Sequence, residues 1–201
     1  VLRYGTFDYL IASDLTGGGS STGDVESKIA VDAGDVDVYH VGHHGSLTSS
    51  NQTMLNAIKP EQAVISCGDG NSHGHPTQTI LDRLGNLTGM DTIWQTELGN
   101  GGTHTKVKVG GDLTFLTNGS TYSVTMSSTG QTFNYSTDGN YGVAPQVVIN
   151  EVAWAGSSAS AYDEWIELYN TTGSAINLTG WKIVDDNGAQ TYNLSGTIPA
   201  N

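Results

Sequence analysis

Between Asp35 and Thr96 the apolar pattern switches repeatedly between a spacing of two and a helical spacing, and this alternation limits the fold more than any other feature. Asp35-Val36-Asp37-Val38-Tyr39-His40 alternates as a strand does. Ser49-Ser50-Asn51 then offers helix caps, and Met54, Leu55 and Ile58 fall on one helical face ahead of Pro60. Ala63-Val64-Ile65-Ser66 reads as a buried strand. Pro76 at a first-turn position opens a second helix carrying Ile80, Leu81 and Leu84, and Thr92–Thr96 is a further strand. Strand, helix, strand, helix predicts an α/β layer with helices packed on a sheet. Residues 1–12 read as a hairpin turning at Gly5-Thr6, and a short helix is expected over 25–33.

Chemistry-bearing residues fall at the ends of these strands. Asp14 closes the apolar run Tyr9–Ser13, Gly42-His43-His44-Gly45-Ser46 follows the strand ending at His40, and Asn71-Ser72-His73-Gly74-His75-Pro76 follows the strand at 63–66. Loops after strands are where a rigid sheet presents functional groups. Flanking glycines let an ion or a second backbone come close. Neighbouring residues of an extended chain point in opposite directions, so one histidine of the pair can ligate a metal while the other orients it or contacts substrate. The alternative is an ordinary pair of polar loop histidines.

Ser13-Asp14, His43-His44-Gly45-Ser46 and Gly74-His75-Pro76, in this order, resemble the second half of a metallo-β-lactamase-fold domain of the ComEC competence-protein type. The resemblance covers residues 1–126. It implies an α/β metallo-β-lactamase-like sandwich, two divalent ions (zinc, or alternatively manganese) and a phosphodiester or nucleic-acid substrate. By residue-wise carry-over, Asp14 bridges the metals and His44 is the further ligand. His43 contacts phosphate or orients its neighbour, and His75 acts at the substrate. The family's His-x-His-x-Asp-His cluster does not occur in this sequence. The chain is therefore expected to begin inside a longer protein and to hold half a site.

The remainder is β-like. Residues 104–109, 112–117 and 121–126 are expected to form a meander, and 127–146, rich in Ser, Thr and Gly, reads as a linker on which Phe133, Tyr135 and Tyr141 can pack against either side. Ile149-Asn150-Glu151-Val152, Glu164–Asn170 and Leu178-Thr179-Gly180-Trp181 resemble the lamin-tail domain, an all-β immunoglobulin-like sandwich, over 147–201. Glu151, Glu164 and Glu167 read as surface or structural residues, because Glu164 and Glu167 point to opposite faces of a strand.

Composition sets outer bounds. A net charge of −13 excludes nucleic-acid binding through a broad basic face, so bound metal ions would have to offset the charge of a phosphodiester. The sole cysteine, Cys67, cannot form an intrachain disulfide and reads as a small buried residue. Asp24 and Glu26 read as solvated loop charges, and His104 as an exposed strand residue. No stretch is long and apolar enough for a membrane-spanning helix, and a secreted or cell-surface setting is expected. Two functions follow: a metal-dependent hydrolase of phosphodiesters, or a non-catalytic binding or structural protein in which the hydrolase fold is vestigial.

Overall fold

The computed structural model describes residues 1–19, 21–139, 146–153, 160, 163–184 and 190–200. The chain divides into two compact units, Val1–Val143 and Ala144–Asn201.

The first unit begins with the hairpin β1 (Leu2–Tyr4) and β2 (Phe7–Ile11), followed by helix α1 (Glu26–Ala33) and β3 (Val38–His40). A tight turn with left-handed backbone, Gly42–Gly45, carries the histidine pair into α2 (Gln52–Ile58), β4 (Gln62–Ile65), α3 (Gln78–Gly85), β5 (Thr92–Gln95) and β6 (Val107–Val109). The six strands form one sheet in sequence order, antiparallel between β1 and β2 and parallel from β2 through β6. A parallel run of this kind requires crossovers that cover its faces, and the alternating sequence supplies them.

Both faces of the sheet are buried, and strand alternation sorts residues between two cores. Tyr39, Ala63, Ile65 and Ile93 face the helices and pack with Ala30, Met54, Leu55, Ile58, Ile80, Leu81 and Leu84. Val38, Val64 and Trp94 point the other way. They meet Tyr122, Val124 and Met126 from a second, antiparallel sheet made of β7 (Leu113–Thr117), β8 (Thr121–Met126) and β9 (Thr132–Ser136). The unit is therefore layered as helices, mixed sheet and antiparallel sheet.

Three expectations change here. Residues 104–109 do not join the meander: β6 adds to the edge of the parallel sheet beside β5, and the chain passes to the other layer at Gly110-Gly111. The stretch expected as linker contains β9, paired along β8 from Thr121↔Ser136 to Thr125↔Thr132. Its aromatics explain this: Phe133 meets Trp94 edge-on at 5.1 Å between ring centroids, and Tyr135 stacks on Tyr122 at 5.2 Å. Period-2 aromatics buried on one face outweigh a turn-like composition. Tyr141 lies outside the described residues. Pro76 sits one residue before the N-cap of α3, Thr77, rather than within its first turn.

The second unit contains β10 (Val147–Ala153) paired antiparallel with β11 (Trp165–Asn170), and the short pairs β12 (Ile176–Asn177) with β15 (Thr197–Ile198) and β13 (Lys182–Val184) with β14 (Thr191–Asn193). Its polar anchor is the buried Asn170, whose amide nitrogen donates to the Ser174 and Pro199 carbonyls at 2.8 Å each, while its oxygen accepts from the Thr172 N–H at 2.9 Å.

Candidate functional site

The C-terminal ends of β2, β3 and β4 open onto one edge of the parallel sheet, which is where such folds hold ligands. Three loops leaving that edge are tied together by their backbones. The His43 N–H donates to the Ser13 carbonyl at 2.7 Å, joining the histidine turn to the Asp14 turn. The Thr77 N–H donates to the Gly45 carbonyl at 2.9 Å, joining it to the Gly74-His75-Pro76 turn. Gly45 has φ +77°, and a β-carbon there would lie 2.6 Å from the Pro76 Cβ, so only glycine permits the contact.

Ser13, His43 and His44 all have left-handed backbones, at φ 48°, 49° and 55°. For residues with a β-carbon this conformation is disfavoured, by about 1–2 kcal/mol each, and the surrounding bonds must hold it. Those bonds come from beneath: Tyr39 Oη accepts from the Gly42 N–H at 3.1 Å, and Ser49 Oγ donates to the Gly42 carbonyl at 2.7 Å. The carboxylate of Glu26 accepts the Ser50 and Asn51 N–H groups at 2.6 Å each, and Arg83 donates to the Ser50 carbonyl at 2.6 Å. Glu26 is completely buried, and that burial pushes its carboxyl above the usual carboxylate range against the lowering effect of its two N–H donors. This corrects the reading of Glu26 as a solvated loop charge, whereas Asp24 is exposed in the loop before α1, as expected. Asp24 accepts from Ser27 N–H and from the Asn51 amide, both at 2.9 Å.

His44 stands between two hollows. Its Nδ1 lies 2.7 Å from the Ser66 carbonyl oxygen, which obliges Nδ1 to carry the proton and leaves Nε2 a free lone pair. One hollow, about 350 Å³, is lined by His44 with Ser13, Asp14, His40 and Ser66; Asp14 itself is exposed. The other, about 390 Å³, is lined by His44 with Ser66, Cys67, Asn71, His73 and His75. His75 is central to a ring cluster: its centroid is 5.9 Å from that of His43 and 5.8 Å from that of His73, the latter pair stacked at 24°. Burial, then the neighbouring charges of His43, His73 and His44, hold the His75 pKa below the usual imidazole value. Its Nδ1 is buried and, among the described residues, has no hydrogen-bond partner.

The geometry thus gathers Asp14 with His44 and His43 with His75. It does not close three ligand atoms around one point there. Among the described residues, the group of three such side chains whose ligand atoms lie within 4.8 Å of one another is Asp35, Glu61 and Asp138, and Asp35 and Glu61 precede β3 and β4 at the other end of the sheet. Asp14 and His44 fit a divalent ion in donor type, a carboxylate oxygen and an imidazole nitrogen, and can offer it at most these two side-chain donor groups.

Several contributors escaped the sequence reading. His40 was assigned only to a strand, yet its Nε2 pairs with Ser66 Oγ at 3.0 Å, and burial, followed by the charge of His44, lowers its pKa. Ser66 ends a buried strand as Ser13 does, which was the available signal. Asn71 pins the His73–His75 turn, donating to the His75 carbonyl at 2.7 Å and accepting the His75 N–H at 3.0 Å. The Gly99–Gly102 loop braces the same turn: a β-carbon on Gly101 would lie 1.9 Å from the Gly74 carbonyl oxygen. Cys67 is half-buried rather than buried, packing against the edge of the helix-side core while also lining the larger hollow, and its thiol donates to the Glu97 carbonyl at 3.0 Å. His104 precedes β6 and packs its ring on Gly85, so it is neither exposed nor within a strand.

Residues 142–201 match the family model of the Lamin Tail Domain. The chain is also similar, over short stretches, to competence proteins. Recombination protein 2 of Haemophilus influenzae is 40% identical over 67 residues, covering 31% of this chain and 8% of that protein. Competence protein ComA of Neisseria gonorrhoeae is 50% identical over 44 residues, or 22% of this chain and 6% of that protein. ComE operon protein 3 of Bacillus subtilis is 38% identical over 69 residues, or 31% of this chain and 9% of that protein. The chain spans less than a tenth of the length of these curated relatives. No solved structure gives a significant match. Among the described residues no helix is long and apolar enough to cross a membrane.

Proposed function

We propose that the Val1–Val143 unit belongs to a metal-dependent phosphodiesterase of the metallo-β-lactamase type that acts on nucleic acid, carried beside a lamin-tail module in a secreted or cell-surface setting. The observation that carries this reading is the pairing of Asp14 and His44 in one hollow, with His44 oriented by the Ser66 carbonyl. Zn²⁺, or alternatively Mn²⁺, bound by these two residues and further donors would supply a metal-activated water and positive charge for a phosphate. Asp14 provides the anionic ligand and His44 presents Nε2. His75 lines the adjoining hollow with its ring 5.9 Å from that of His43, and from there an imidazole can contact a phosphate oxygen or move a proton at the leaving group. The similarity to competence proteins supports nucleic acid as the substrate class.

The test is metal stoichiometry together with turnover of bis-p-nitrophenyl phosphate under added Zn²⁺ or Mn²⁺, for the wild type and for Asp14→Ala, in the longest natural protein that carries this chain. Metal and turnover are expected to fall together in the variant. A folded Asp14→Ala protein with unchanged metal content refutes the ligand assignment. A wild type with neither metal nor turnover assigns the chain to the non-catalytic binding class.

A further inference from the structure

The larger hollow is not explained by metal chemistry, and what it offers a ligand is distinctive. Asn71 spends its amide on the Gly68 and His75 carbonyls and its oxygen on the His75 N–H. Thr96 Oγ1 accepts the Cys67 N–H at 2.9 Å and donates to the Cys67 carbonyl at 2.7 Å. The Cys67 thiol goes to the Glu97 carbonyl and the Ser66 carbonyl to His44. Apart from the imidazole nitrogens, among them the His75 Nδ1 that has no partner among the described residues, these polar groups of the wall are consumed internally, and what remains is apolar surface bounded by the stacked imidazoles of His73 and His75. At about 390 Å³ the hollow falls in the roughly 300–1,000 Å³ range of small-ligand sites. It shares His44 and Ser66 with the hollow that holds Asp14, so a phosphate at Asp14 and His44 places its attached nucleoside here.

We propose that this hollow is a nucleobase subsite, with exposed His73 as the stacking platform, for the nucleotide attached to the phosphate handled at Asp14 and His44. The proposal rests on the phosphodiesterase reading for its orientation and extends it to substrate recognition. Stacking tolerates every base because each has a π-face, which predicts little sequence preference. With a net charge of −13 the chain has no excess of cations to hold the nucleic-acid backbone, so in the absence of bound metal stacking is the principal grip.

The experiment is a metal-free NMR titration of the chain, following the imidazole Cε1–H signals, with dAMP and separately with 2-deoxyribose 5-phosphate. dAMP is expected to shift the His73 and His75 signals along a saturating curve while leaving His104, whose ring packs on Gly85 at the C-terminal end of α3, in place. The base-free sugar phosphate is expected to leave them unmoved. His73→Ala should weaken dAMP at least fivefold, and His73→Phe, which keeps an aromatic face, should stay within threefold of the wild type. Identical shifts from the two ligands, no shift with dAMP at 20 mM, or wild-type affinity in His73→Ala overturns the subsite. Since neither metal nor turnover enters the titration, a failed hydrolase reading shows itself separately, in the stoichiometry and turnover assay.

Discussion

The Nδ1 of His44 and the carbonyl oxygen of Ser66 lie 2.7 Å apart, and this contact fixes the orientation of an exposed loop histidine. The carbonyl belongs to the backbone just past β4, so the sheet itself sets the tautomer. Ser66→Ala leaves that carbonyl in place and removes only the hydroxyl partner of His40. Metal affinity is expected to stay within about threefold, at a stability cost of about 1 kcal/mol. His44→Ala is expected to lose affinity by about tenfold or more. Isothermal titration with Zn²⁺ separates the two, and an equal loss in both variants would show that the hydroxyl rather than the carbonyl does the orienting.

The left-handed backbone of His43 should be measurable as strain. His43→Gly and His43→Ala remove the same imidazole, but only glycine adopts φ 49° without penalty. His43→Gly is expected to be the more stable of the two by about 1 kcal/mol in denaturant unfolding. The reverse order, as for a residue in ordinary extended or helical backbone, would rule the strain out.

How much of this could be read beforehand follows from the range of the interactions. The helices α1, α2 and α3 and the strands β2 to β5 are encoded locally, by period and by caps such as Asn51, whose Oδ1 accepts the Met54 N–H at 2.8 Å. Asp14, His43, His44 and His75 were legible as residues at strand ends. Their pairing was not, since the bonds from His43 to Ser13 and from His44 to Ser66 join loops distant in sequence. β9 was hidden because Ser and Thr on its exposed face imitate linker composition, while Phe133 and Tyr135 on the other face bury against Trp94 and Tyr122. Glu26 misled for the converse reason: a carboxylate in a polar loop reads as solvated until the two N–H groups of Ser50 and Asn51 are brought to it.

Glu26 therefore supports the site from a distance. Glu26→Ala strips the acceptor from two N–H groups at the entry to α2, one of them fully buried, and is expected to cost about 3 kcal/mol. Glu26→Gln keeps one oxygen acceptor and should cost less. Both are read by urea unfolding of the chain, and a change below about 0.5 kcal/mol in the alanine variant would contradict the role given to this carboxylate.

The end of the sheet opposite the histidines should make stability depend on pH. Burial pushes the Glu61 carboxyl up to about 8, reinforced by the charges of Asp138, Asp35 and Asp37, and burial raises Asp37 to about 6 although it accepts the Asp8 N–H at 2.8 Å. A carboxyl that holds its proton more tightly when folded binds more protons in the native than in the unfolded chain over the interval between the two pKa values. Its contribution is complete below the unfolded value and is lost as pH rises through the folded one. Stability should thus fall from about pH 5 to 8, with no single group able to contribute more than about 1.4 kcal/mol per pH unit. His40, with its lowered pKa, acts in the opposite sense, but its effect lies below the ordinary imidazole value near 6.5. The interval from pH 7 to 8.5 accordingly isolates Glu61. Melting temperatures across it are expected to decline in the wild type and to flatten in Glu61→Gln, which keeps the size of the side chain and has no proton to lose. A wild type that gains stability over this interval, or a Glu61→Gln protein with the same decline, would show that Glu61 is not the group responsible.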